Sequence, residues 1–270
     1  MRYYGINGEV LNWINAWLTQ RNQQVCVDGD MKGTKPVRSS EPQGTVLGPL
    51  CFLLYINDLG DLISSIRLFT DDSLLYRTVN STESCQQQQN DLTRLVEWSK
   101  QWQMTFHPAK CFILRVTKKR NPVIYNYKMM GHQLETVHHY PYLGVELSED
   151  MNWDPHISKV TSKANKTLGF LRRNLNKCLQ DNKESACKSL VRPHLEYTSV
   201  VWDPYRQCHI NKIEMVQRRT ACFVTSNYSR EPGTVTNTLQ NLGWPTLETR
   251  RQGARHILLY KIIHGEAAVP

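Results

Sequence analysis

Val10, Leu11, Ile14, Trp17 and Leu18 recur at the three- and four-residue spacing of one helix face over residues 8–18. Arg21 and Asn22 close that helix. Residues 24–27 then read as a strand, and Asp28-Gly29 is a hairpin turn signal whose return strand can run only as far as Pro36. Pro42 and Gly44 mark a loop, and residues 50–59 are apolar on most faces, the pattern of a buried helix. Two brief alternating stretches, 66–70 and 73–76, flank Asp71 and Asp72, which predicts a tight hairpin with both carboxylates at its tip. Leu92, Leu95, Val96, Ser99 and Trp102 line another helix face. Residues 111–116 read as a strand, 118–122 as a basic loop and 140–147 as a strand or hairpin.

Past residue 154 the pattern turns helical. Asp154 reads as an N-cap with Pro155 at the first helical position, and Ile157, Val160, Ala164, Leu168, Leu171 and Leu175 follow at gaps of three and four. Lys159, Lys163, Lys166, Arg173 and Lys177 run along a different face. Asp181 and Glu184 resemble a capping box for a second helix, which Pro193 interrupts. Further helical patterns occupy 208–224 and 246–263. The expected fold class is α+β, a mixed body followed by a helical arm, with a boundary near residue 150.

Composition changes the picture in one respect. At 270 residues, 40% hydrophobic and 21% charged, the chain is ordinary globular material rather than fibrous or disordered. The net charge of +9 is unevenly spread: residues 1–154 hold 15 Lys+Arg against 16 Asp+Glu, and residues 155–270 hold 18 against 8. A balanced first half joined to a basic second half suggests a body with one task and an arm that meets a polyanion. No apolar run reaches the roughly 18 residues of a membrane span. The N-terminus has no signal-peptide pattern, so the expectation is an intracellular protein, nuclear or cytoplasmic, with free thiols among its eight cysteines. His138-His139, and Cys208-His209 with Cys222, lack the paired spacing of a zinc site. The tryptophans at 13, 17, 98 and 102 sit at helical spacing and read as core.

Asp71-Asp72 is the candidate chemistry. Two adjacent ionised carboxylates on a turn repel each other, and a divalent cation compensates them. Carboxylate oxygens suit Mg²⁺, which completes its shell with water and substrate phosphates. Two such ions about 4 Å apart stabilise both the attacking and the leaving oxygen of a phosphoryl displacement.

The surroundings of the pair sharpen that reading. Glu41-Pro42-Gln43-Gly44-Thr45-Val46-Leu47-Gly48-Pro49-Leu50 precedes Phe69-Thr70-Asp71-Asp72, and His107-Pro108-Ala109-Lys110 and Tyr142-Leu143-Gly144-Val145 follow. The ordered series resembles the reverse transcriptases of non-LTR (LINE-type) retrotransposons, in the order of their motif B, motif C, motif D and primer-grip hairpin. The likeness continues through Val191-Arg192-Pro193, Val201-Trp202-Asp203-Pro204, Val216-Gln217-Arg218-Arg219 and Leu259-Tyr260-Lys261-Ile262. It implies a partial polymerase palm, an antiparallel sheet with packed helices that includes the primer-grip hairpin, over 1–150. A thumb-like helical segment would follow over 151–205, and a basic helical C-terminal arm over 206–270.

The resemblance also implies roles. Asp71 and Asp72 hold Mg²⁺ or Mn²⁺ and are catalytic, and Lys110 protonates the pyrophosphate leaving group. Gln43 and Gly44 line the site of the template or incoming nucleotide, Gly44 by allowing close backbone approach. Tyr142, Leu143, Gly144 and Val145 steady the primer. Lys159, Lys163, Lys166, Arg173 and Lys177 track phosphates. The implied partners are an RNA template, a DNA primer and deoxynucleoside triphosphates.

This sequence also departs from the family pattern. The family's third catalytic carboxylate belongs to a segment just before the counterpart of Tyr4-Gly5-Ile6, and no match to it occurs elsewhere in these residues. Thr70 stands where the family usually has Ala, Glu41 where it has an apolar residue, Ser40 where it has Gly, and His107 where it has Asn. The expectation is therefore a C-terminal polymerase fragment, weak in metal binding and inactive alone. The alternative is a non-catalytic nucleic-acid-binding remnant that uses its basic C-terminal helices.

Overall fold

The computed structural model describes residues 1–37, 40, 42, 44–63 and 65–267. The chain forms two compact units, Met1–Cys111 with Asn121–Leu134, and Phe112–Arg120 with Glu135–Pro270. Helices and small sheets are mixed, as the α+β expectation required. Among the described residues every sheet has two strands, five antiparallel pairs and one parallel. No described helix is long and apolar enough to cross a membrane.

The first unit opens with α1 (Gly8–Thr19), on which only Ile14 is buried. Trp13 is not core, as its spacing had suggested: it is 54% exposed and stacks on Trp17, ring centroids 5.9 Å apart. The hairpin signal at Asp28-Gly29 holds. β2 (Cys26–Val27) and β3 (Asp30–Met31) pair across it, inside a wider pairing of β1 (Asn22–Gln23) with β4 (Lys35–Pro36). Helix α2 (Leu47–Ile56) starts three residues before the apolar run suggested. Thr45 Oγ1 accepts the Gly48 amide at 3.1 Å, and Pro49 falls in the first turn, where its missing N–H costs nothing.

The expectation of a buried helix over this run is not met. Leu50 and Leu53 of α2 are 52% and 44% exposed, because neighbours within the unit cover one side of a helix that is apolar all round. That cover comes from α3 (Leu59–Leu62), β5 (Ile66–Phe69), β6 (Asp72–Leu75) and α4 (Thr82–Gln101), which share the core of Ile56, Leu59, Ile63, Ile66, Leu95 and Trp98. Trp98 Nε1 donates to Asp58 Oδ1 at 3.1 Å, so the indole is buried without an unpaired donor.

The chain then leaves for the second unit at β7 (Phe112–Leu114) and returns for a hairpin of β8 (Lys128–Met129) and β9 (His132–Gln133). Gln89 of α4 holds that hairpin by donating to Lys128 O and accepting Lys128 N–H, both at 2.8 Å.

In the second unit β7 pairs in parallel with β10 (Glu135–Val137), and β11 (His139–Tyr142) pairs antiparallel with β12 (Val145–Ser148). Helix α5 (Asp154–Asn174) buries Ile157, Ala164, Leu168 and Leu171, the predicted stripe. Asp154 does not cap it. Its carboxylate lies in the first turn and takes Lys212 at 2.8 Å and His209 at 3.1 Å, both from α8 (Gln207–Thr225). The capping box at Asp181 and Glu184 is not formed either. Helix α6 (Gln180–Ala186) has no side-chain cap, and Glu184 pairs with Lys188 at 2.5 Å and accepts Trp244 Nε1–H at 3.0 Å.

Pro193 does not break the following segment. A π-turn at Cys187–Val191 carries the chain into α7 (Arg192–Glu196), with Pro193 in its first turn. Helix α8 is the centre of the unit, with Ile213, Val216, Phe223 and Val224 packed among Val145, Ile157, Leu168, Leu195, Trp202 and Leu247. Lys183 is buried against its C-terminal end, donating to Ser226 Oγ at 2.9 Å and lying over the Phe223 ring. The remaining helices are α9 (Thr234–Asn241) and α10 (Leu247–Ile263). The amide of Glu248, in the first turn of α10, donates to Glu214 of α8 at 2.9 Å, and burial pushes the Glu214 carboxyl above its ordinary pKa.

His156 is buried edge-on to Trp202, ring centroids 4.7 Å apart, and its Nδ1 accepts the Glu146 amide at 3.1 Å. Burial, with the charge of Lys159, lowers its pKa, while Glu146 works the other way. A histidine depressed in the folded state costs stability as pH falls below the unfolded value of about 6.5. Urea unfolding should therefore show the protein losing stability from pH 7 to pH 5.5. His156→Gln should flatten that slope, and an unchanged slope would show that His156 does not supply it.

Candidate functional site

Asp71 and Asp72 sit at the tip of the β5–β6 hairpin, both exposed, Asp71 in the turn and Asp72 at the first position of β6. Register decides where they point. Ile66 pairs with Leu75 and Leu68 with Ser73, which puts Ile66, Leu68 and Leu75 on the core side, while Phe69 pairs with Asp72 on the other face. The turn is tight enough to hold Thr70 at φ 51°, in the left-handed region that a β-branched residue rarely occupies. Its hydroxyl lies 2.7 Å from Phe69 O and 3.0 Å from Asp71 Oδ1 and can donate to one of them at a time.

The base of the hairpin is anchored. Arg77, two residues past β6, pairs with the buried Asp91 of α4 and donates to Gln87 at 3.1 Å and Gln88 at 3.3 Å. Carboxylate oxygens that face solvent with no cation paired within 4 Å among the described residues are a donor set suited to Mg²⁺. No third His, Cys, Asp or Glu among the described residues completes a metal-binding group with them. The doubtful zinc pairs are occupied otherwise, His138 with Glu149, His139 with Glu146 and His209 with Asp154.

Lys110 ends a short 3-10 turn, Pro108–Lys110, and is exposed. No hydrogen bond or ion pair joins it to Asp71 or Asp72 among the described residues. Gln43 lies outside the described residues. Gly44 takes φ 77°, and a Cβ there would meet nothing within 4 Å, so conformation rather than close contact calls for glycine.

In the second unit, Tyr142-Leu143-Gly144-Val145 forms the turn between β11 and β12, with Leu143 at φ 45° and Gly144 at φ 82°. A Cβ on Gly144 would lie 2.9 Å from Cε1 of Tyr197, whose hydroxyl donates to Leu143 O at 3.2 Å. Val145 is buried in the core. Burial opposes the charge of Glu146, but hydrogen bonds and charges from Lys159 and His139 outweigh it and hold the carboxyl below its ordinary pKa.

That pairing takes Lys159 out of the free cations of α5. Lys163, Lys166 and Arg173 remain exposed on α5, and Lys177 lies beyond its end. Arg219 of α8 joins Lys166 and Arg173 along an open groove, with its guanidinium 3.3 Å from Asn165 Oδ1. In sequence Arg219 belongs to Val216-Gln217-Arg218-Arg219, a stretch of family likeness with no role attached to it. Only packing of α8 on α5 brings it there.

A family profile described as "Reverse transcriptase (RNA-dependent DNA polymerase)" matches residues 3–147, more than half of the chain. The chain belongs to that family. It is similar to the "Probable RNA-directed DNA polymerase from transposon BS" of Drosophila melanogaster, 26% identical over 240 residues that cover 83% of this chain and 25% of that protein. It is also similar to the "RNA-directed DNA polymerase from mobile element jockey" of Drosophila funebris, 25% identical over 79% of this chain and 25% of the relative. A third relative is the "Probable RNA-directed DNA polymerase from transposon X-element" of Drosophila melanogaster, 25% identical over 70% of this chain and 22% of the relative. The motif-based resemblance to non-LTR retrotransposon reverse transcriptases is thereby borne out. The chain spans about a quarter of the length of the curated relatives it matches. No solved structure matches it.

Two stability outcomes follow from this geometry. Arg77→Met leaves the buried Asp91 with only the longer 3.8 Å pairing to Arg94 and should cost about 2 kcal/mol in urea unfolding, most of which Asp91→Leu should restore in the double variant. Gly144→Ala should cost about 1–2 kcal/mol, from the left-handed backbone and the displaced Tyr197 ring. In a Tyr197→Ala background the steric share of that cost should vanish.

Proposed function

We propose that the chain is the C-terminal part of an RNA-directed DNA polymerase of a non-LTR retrotransposon, extending a DNA primer on an RNA template. The observation that carries this is the exposed Asp71-Asp72 pair, held at a two-residue turn whose base Arg77 ties to α4, in a chain of the reverse transcriptase family. Residues 1–150 are assigned to the palm, 151–205 to a thumb-like segment and 206–270 to the basic helical arm.

Asp71 and Asp72 would hold Mg²⁺ or Mn²⁺, which when bound would neutralise charge on the phosphate oxygens of the incoming deoxynucleoside triphosphate and lower the pKa of the primer's terminal hydroxyl. Two carboxylates are a partial anchor for such an ion. Lys110 gives an Nζ proton to the departing pyrophosphate oxygen. Gln43 and Gly44 line the nucleotide, and the turn Tyr142–Val145 supports the primer strand. Lys163, Lys166 and Arg173 take phosphates. Lys159 acts in this only through Glu146.

Primer extension on an RNA template tests the proposal. This chain alone should be silent, and a polypeptide joining the upstream polymerase segment to it should extend with Mg²⁺. Asp71→Asn or Asp72→Asn should lower the joined polypeptide's rate about a hundredfold or more without moving its thermal midpoint. A joined polypeptide that stays silent with both aspartates intact refutes the catalytic assignment.

A further inference from the structure

The outward row of α5 holds one residue that its charges do not explain. Phe170 is 54% exposed and lies one helical turn from both Lys166 and Arg173. Beside it runs the groove between α5 and α8, about 590 Å³, lined by Ser162, Asn165, Lys166, Gly169, Arg173 and Arg219. Gly169 contributes no side chain to it, and the Arg173 guanidinium lies across that position, 3.6 Å from where a Cβ would stand.

None of Lys163, Lys166, Arg173 and Arg219 pairs with a carboxylate within 4 Å among the described residues. The acids that could offset them are elsewhere. Asp154, the acid of α5, is taken by Lys212 and His209, and Glu214, the acid of α8, is buried against the start of α10. Cations gathered without counter-charge on two packed helices repel one another until an anion sits between them.

The aromatic ring decides which polyanion. A duplex offers phosphates but keeps its bases paired and stacked inside, so an exposed Phe170 would meet only sugar edges. An unpaired strand offers phosphates and the π-face of a base together, one turn of helix apart.

We propose that α5 and α8 form a single-strand binding groove, with phosphates between Lys166, Arg173 and Arg219 and one unpaired base stacked on Phe170. It rests on the nucleic-acid reading of α5 given above and adds the strandedness of the ligand, the stacking ring and Arg219.

Fluorescence anisotropy of the full chain with a labelled RNA strand of about 16 nucleotides, and with the same strand annealed to its complement, tests this. The strand should bind about tenfold tighter than the duplex. Phe170→Ala should weaken strand binding about 5- to 100-fold while leaving duplex binding and the thermal midpoint unchanged, and Phe170→Trp should restore it. Arg219→Gln should lower the slope of log affinity against log salt by about 0.7. Duplex bound as tightly as the strand, or no effect of Phe170→Ala, overturns the single-strand proposal and leaves the nucleic-acid reading standing. No binding of either probe at low salt overturns both.

Discussion

Two neighbouring carboxylates repel, and a chain that places them side by side must keep both in water and hold the turn that carries them. The β5–β6 hairpin meets both demands. Its register turns Ile66, Leu68 and Leu75 inward and leaves Asp72 on the opposite face, and Asp71 occupies the turn itself. The cost appears at Thr70, a β-branched residue at φ 51°. Arg77 and Asp91 then fix the hairpin's base to α4 by a pairing that neither partner could leave cheaply.

The second unit handles charge differently. Glu146 is the centre of a small network with Lys159 and His139, its amide donates to His156, and His156 packs on Trp202. Asp154 ties α5 to α8, while Glu214 takes an amide from the first turn of α10. Acids are spent on internal joints, and the cations on the outer side of α5 and α8 are left over. An excess of positive charge on one surface is thus a by-product of how the acids are used inside.

Much of this was legible from residue order. The hairpins at Asp28-Gly29 and Asp71-Asp72 and the stripe of α5 follow from local periodicity and turn chemistry, and local rules suffice where neighbours in sequence are neighbours in space. Two misreadings share one cause. Asp154 and Glu184 look like caps in sequence, but partners 58 and 60 residues away, Lys212 and Trp244, claim them. The hairpin of β8 and β9 buries Tyr127, Met129 and Leu134, and Gln89 of α4, 39 residues before Lys128, also holds it by hydrogen bonds that no local pattern announces.

Sequence by itself determined the family motifs, their order, the exposed acidic pair and the surplus of positive charge after residue 154, because each is a property of residue types at short spacing. Tertiary structure alone decided that Lys159 is spent on Glu146, that Gly144 must make room for Tyr197, and that Arg219 stands opposite Lys166 and Arg173. Those outcomes depend on which helix or strand packs beside which, and contacts between residues dozens of positions apart leave no periodic trace in the chain.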